Sequence, residues 1–137
     1  MTSKLPASNL VKIRRDLAAL LAAEPELQFA VLTGSRATGT EHAASDWDIA
    51  LQWDYHIDWL TAVARTETLR RALACLLQVE ESKVDLIDLR RANLAMRAAV
   101  AEDGLPLAGE DSVSWMHFLR RAWRDLEDFY WDKQHAA

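Results

Sequence analysis

The eight residues 46–53, DWDIALQW, alternate without a break and limit the possible folds more than any other stretch of the chain. In extended backbone Trp47, Ile49, Leu51 and Trp53 fall on one face, while Asp46, Asp48, Ala50 and Gln52 fall on the other. The segment is therefore a strand whose large apolar face demands a covering layer, and Trp47 and Trp53 pack beneath it. It also carries two carboxylates on one face at one end. The rest of the chain supplies the cover. Residues 8–24 carry Leu10, Ile13, Leu17, Leu20 and Leu21 at helical spacing, with Ser8 as the expected cap and Pro25 beyond the end. Residues 29–33 form a short apolar run stopped by Gly34, which reads as a buried strand. A polar loop with room for a helical turn fills residues 34–45.

A second helix is expected over residues 59–77 and a third strand over residues 83–89, KVDLIDL. Helices follow over residues 93–102, with Gly104 near the C-terminal end, and over residues 112–133. In the last, Trp115, Phe118, Leu119, Ala122, Leu126, Phe129 and Tyr130 share roughly one face, which is expected to close the core. The order reads α-β-β-α-β-α-α. With 137 residues, 50% of them hydrophobic, and no linker or repeat, one globular domain spanning 1–137 is the expectation.

Charge and cysteine content narrow the function. A formal net charge of -5 argues against a wide nucleic-acid-binding surface, because phosphate backbones are held by clustered Lys and Arg. The single cysteine, Cys75, makes no internal disulfide and no thiolate zinc site, and it reads as an inert buried thiol in a reducing compartment. No apolar run reaches the ~18 residues of a membrane span, and the N-terminus lacks the apolar stretch of a secretion signal. A soluble cytoplasmic protein is expected.

The chemistry concentrates between residues 33 and 49. Gly34 and Ser35 directly follow a strand, where turn N–H groups and a hydroxyl can converge on phosphate oxygens. Asp46 and Asp48 present like charges side by side, a repulsion that a divalent cation with a taste for oxygen, such as Mg²⁺, relieves. A third carboxylate comes from KVDLIDL. Asp85 and Asp88 are three apart and point to opposite faces of a strand, so only one joins the pair. Periodicity leaves that choice open. His42, in the same loop, reads as a surface histidine.

Gly34-Ser35, ten intervening residues, Asp46-x-Asp48 and the later VDLIDL together resemble the signature of minimal nucleotidyltransferases of the polymerase-beta superfamily. The resemblance covers residues 29–89. It implies an α/β nucleotidyltransferase fold, with a small mixed sheet flanked by helices, and the use of ATP with Mg²⁺. It implies Asp85 as the third carboxylate beside Asp46 and Asp48, all three catalytic and metal-binding, and Gly34 and Ser35 as nucleotide-binding. Many relatives carry a basic residue one or two positions before the loop's second glycine, where this chain has Thr38 and Ala37. Arg36 is the basic residue offered to phosphate in their place.

Small members of the family are often antitoxins encoded beside a HEPN-domain toxin, whose tyrosine they adenylylate. The resemblance thus implies AMP transfer to a partner protein. Two other readings stand beside it: an antitoxin that neutralises its partner by binding alone, and a homodimer that modifies a small molecule in a pocket between subunits.

Overall fold

The computed structural model describes residues 7–136. Its elements run α1 (Ala7–Ala22), β1 (Leu27–Thr33), α2 (Ser35–Thr38), β2 (Trp47–Trp53), α3 (Trp59–Leu77), β3 (Val84–Asp88), α4 (Leu94–Asp103), β4 (Leu105–Ala108) and α5 (Val113–His135), with short 3₁₀ turns at Glu81–Lys83 and Leu89–Arg91. Four strands form one mixed sheet in the order β3-β2-β1-β4. β2 runs parallel to β3, and β1 runs antiparallel to both β2 and β4.

Helices cover both faces of the sheet, one more than the alternation in β2 requires, so Ala50 and Gln52 on the second face are buried as well. On one side Trp47, Ile49, Leu51 and Trp53 pack with Leu17 and Leu21 of α1 and Leu69 and Leu73 of α3. On the other, Phe29, Val31 and Ala50 meet Val100 of α4 and Trp115 and Phe118 of α5. Phe29 makes an edge contact with Trp115, ring centroids 5.0 Å apart, and Trp115 stacks on Phe118 at 5.6 Å. β1 divides its side chains between the two cores, which accounts for its apolar run without polar alternation.

Local signals start three of the helices. Asp58 caps α3 by accepting from the Thr61 amide at 2.7 Å. Asn93 accepts from Met96 N at 2.9 Å and Ser112 from Trp115 N at 3.1 Å, which starts α4 and α5. Ser8 does not occupy the expected cap position, since α1 already includes Ala7.

Three further expectations need correction. The sequence reading omits β4, which is only four residues long and contains Pro106. A sheet edge tolerates proline because the strand's outer side needs no ladder hydrogen bond, and β4 is an edge strand. Gly104 leads into it with extended backbone, and a Cβ there would fall 2.4 Å from both Val100 O and Val31 Cγ1. The aromatic face of α5 closes the core only over its first half: Trp115, Phe118 and Ala122 are buried, while Phe129 and Tyr130 are exposed. Cys75, expected inside, is exposed.

Candidate active site

Register assembles the site. Across the sheet Thr33 of β1 lies opposite Asp48 of β2, and Asp48 lies opposite Asp85 of β3. In-register neighbours on adjacent strands share a face, so the Asp48 and Asp85 carboxyls stand side by side. Because β1 ends where β2 and β3 begin, the turn after Thr33 opens directly onto that pair. Gly34 sits there with φ 73° and ψ -158°, a combination open essentially to glycine alone. A Cβ on Gly34 would fall 2.3 Å from Asp48 Oδ2. Glycine therefore answers two demands at once, backbone shape and close approach. Ser35 begins the helical turn α2, which ends at Gly39 in the left-handed region, φ 80°.

Burial, then the charges of Asp85 and Asp46, and then a hydrogen bond with Asp85 push the Asp48 carboxyl above the ordinary aspartate range, against the smaller pull of Arg36. Asp48 is half-buried, whereas Asp46 and Asp85 are exposed. Asp46 stands one residue before β2 begins, outside the ladder. Among the described residues no three Asp, Glu, His or Cys side chains are grouped to hold a metal ion, so Asp46 is not gathered with Asp48 and Asp85 into a three-carboxylate site. The donor chemistry still suits Mg²⁺: hard carboxylate oxygens from two strands, a proton-hungry Asp48 at their centre, and a glycine where a side chain would crowd its oxygen.

Asp88, the other sequence candidate, is engaged elsewhere. Its Oδ1 accepts from Arg90 N at 3.0 Å, and its Oδ2 lies 3.4 Å from Arg90 Nη2. Arg36 donates from Nη2 to Ser45 O at 2.9 Å, and its guanidinium carbon lies 4.1 Å from the Trp47 ring centroid. Trp47 is in the core, as its alternation predicts, and the indole also carries Arg36, which the alternation does not signal. Nor does the sequence signal Glu41, whose Oε2 is buried without a hydrogen-bond partner, or Lys83, which reaches Ala44 O at 3.5 Å. Loop residues separated by 5 to 39 positions leave no periodic trace by which to find them. His42 serves its own loop, accepting from Ala44 N at 3.2 Å.

The sequence matches the family described as Polymerase beta, Nucleotidyltransferase over residues 15–112. The chain belongs to the polymerase beta nucleotidyltransferase family. Within this nucleotidyltransferase family it is similar to "Protein adenylyltransferase MntA" of Shewanella oneidensis, 34% identical over 106 residues, 77% of this chain and 67% of the relative. It is also similar to "Protein adenylyltransferase MntA" of Aphanizomenon flos-aquae, 29% identical over 124 residues, 88% of this chain and 81% of the relative. A crystal structure of a toxin-antitoxin with AMP-PNP contains a similar chain, with a TM-score of 0.64, 29% identity, and 95% and 94% of the two chains covered. A similar chain also comes from the complex of a tri-AMPylated Shewanella oneidensis HEPN toxin with its MNT antitoxin, with a TM-score of 0.57, 27% identity, and 93% and 88% covered. The nucleotidyltransferase fold expected from the signature is thus the fold observed. Among the described residues no helix is long and apolar enough to cross a membrane.

Proposed function

We propose that this chain, as a single nucleotidyltransferase domain, transfers AMP from ATP to a hydroxyl on a HEPN-domain toxin and thereby acts as its antitoxin. The observation that carries the reading is the Asp48–Asp85 pair in register beside Gly34, a paired acidic site opening onto a turn built around an absent side chain. The likeness to adenylyltransferases and to a toxin-antitoxin with AMP-PNP supports the choice of ATP and partner.

Gly34 and Ser35 bind the triphosphate from the β1–α2 turn, and Arg36 belongs to the same side of the site. Asp46, Asp48 and Asp85 would hold Mg²⁺, which when bound neutralises triphosphate charge and makes an incoming hydroxyl more acidic. Asp85, exposed at the open edge of the pair, accepts the proton of that hydroxyl. An oxygen–phosphorus bond forms at the α-phosphorus as the bond to the β-phosphate bridging oxygen breaks. AMP remains on the acceptor, and pyrophosphate leaves in line with the attack. Catalysis here is mainly positioning and charge neutralisation, with the acceptor surface supplied by the partner.

Incubation of the protein with the HEPN protein, ATP and Mg²⁺, followed by intact-mass spectrometry, tests the reading. The partner should gain whole adenylate units with the wild-type chain and none with Asp48→Asn. A complex that forms with the partner's mass unchanged would replace transfer by neutralisation through binding.

A further inference from the structure

The three carboxylates are not held alike. Asp48 and Asp85 are fixed by the β2–β3 ladder, but Asp46 precedes the first paired residue, Trp47, and the sheet does not hold it. Arg36 reaches the backbone there. Its Nη2 hydrogen bonds to the carbonyl of Ser45, which shares a peptide unit with the Asp46 nitrogen. Its guanidinium carbon lies over the indole of Trp47, the residue between the two aspartates, 4.1 Å from the ring centroid. Trp47 is a rigid platform, 7% exposed and packed in the core with Ile49, Val84 and Leu86. The Ser45 end of the loop is further tied by His42 N to Ser45 Oγ and Ser45 N to His42 O, both 2.9 Å. Arg36 Nε and Glu41 Oε2 are both buried without hydrogen-bond partners.

We infer that Arg36 is a positioning residue, which clamps the Ser45–Asp46 peptide to the Trp47 ring and so holds Asp46 at the edge of the sheet-borne Asp48–Asp85 pair. This rests on the reading of those three carboxylates as the metal-binding set, and it gives Arg36 a task other than phosphate contact. A lysine keeps the charge, but it lacks the planar fork that stacks and donates together.

The test is a double-mutant cycle between Arg36→Gln and Asp46→Asn. It is read by calorimetric affinity for AMP-PNP with Mg²⁺ and by kcat for transfer. If Arg36 acts through Asp46, Arg36→Gln weakens AMP-PNP binding about tenfold in the wild-type background and has no further effect when Asp46 is already Asn. It also lowers kcat by about 10²-fold, the cost of a site displaced by about 1 Å, and raises the Mg²⁺ concentration for half-maximal rate. Arg36→Lys should restore less than half of the lost activity and serves in place of Arg36→Gln should the latter fail to fold. An equal loss of affinity in both backgrounds would identify a direct phosphate contact and overturn the inference, as would unchanged affinity and kcat in the wild-type background. If Asp46→Asn alone changes neither affinity nor kcat, the carboxylate reading itself fails, separately from the behaviour of Arg36.

Discussion

Asp48 is an acid held under strain by its neighbours, so removing its charge should stabilise the metal-free protein while abolishing transfer. Burial and the facing Asp85 charge raise its pKa, and like charges directly opposite on adjacent strands cost about 0.2–1 kcal/mol. Asp48 is only half-buried and therefore partly screened, which favours the lower half of that range. For a chain of this size each kcal/mol moves Tm by roughly 3–5 °C, so Asp48→Asn should raise Tm by about 1–3 °C in EDTA at pH 7.5. A carboxyl whose folded pKa is raised contributes fully below its unfolded pKa, about 3.9, and its contribution is lost as pH rises through the folded value. The gain from Asp48→Asn should accordingly vanish near pH 3.5 and grow toward neutrality. Mg²⁺ should reverse the ranking: at a hundredfold excess over its Kd it adds about 2.7 kcal/mol to the wild type and much less to the variant. Differential scanning fluorimetry across pH, with and without Mg²⁺, measures all three effects. A variant less stable than wild type in EDTA, or equal Mg²⁺ stabilisation of both proteins, would refute the account of a repelling pair that a cation relieves.

Other positions give independent checks. Gly34→Ala forces a Cβ to within 2.3 Å of Asp48 Oδ2 at a backbone angle reserved for glycine; it should cost about 1–3 kcal/mol in denaturant unfolding and eliminate transfer. Asp85→Asn should reduce kcat by at least about 10²-fold, whereas Asp88→Asn, which touches only the Arg90 turn, should keep transfer within about twofold of wild type; side-by-side kinetics decides, and the opposite order would exchange their roles. His56 lies between Asp54 and Glu26, 2.6 Å from Glu26 Oε2, and the two carboxylates raise its pKa. Hydrogen bonds from His56 hold Asp54 low, and Arg65 together with His56 holds Glu26 low. The histidine contribution is complete below about pH 6.5 and fades as pH rises through its raised value, while the carboxylate contributions are complete above about pH 4.3 and fade as pH falls through their lowered values. Tm should therefore decline between pH 6 and pH 8 more steeply in wild type than in His56→Gln, and parallel curves would show the cluster to be inert.

Much of this protein was legible from local sequence, where the physics is local. Strict alternation over residues 46–53 allows one backbone shape and one large apolar face, and in β2 Trp47, Ile49, Leu51 and Trp53 share that face as expected, while the burial of Ala50 and Gln52 on the other face comes from the second layer of helices. Ser112 before an apolar helical face starts a helix wherever the chain goes, because its hydroxyl and the Trp115 amide are only three residues apart. The Gly34-Ser35 turn and the Asp46-x-Asp48 pair could likewise be found before any fold was known. The remaining features depend on contacts between distant segments. Asp85 and Asp88 are equivalent by periodicity and separate only when parallel register sets Asp85 against Asp48 and leaves Asp88 to Arg90. β4 is too short, with Pro106 in it, to signal itself and exists because β1 offers it an edge. Arg36 has the reach to meet a phosphate or a neighbouring carbonyl, and only the fold shows that its Nη2 donates to Ser45 O beside the Trp47 ring. Sequence determined what each segment must bury and where its charges cluster. Tertiary structure decided which of those charges meet, since strand register and long side-chain reach bring together groups whose separation along the chain carries no information about their distance in space.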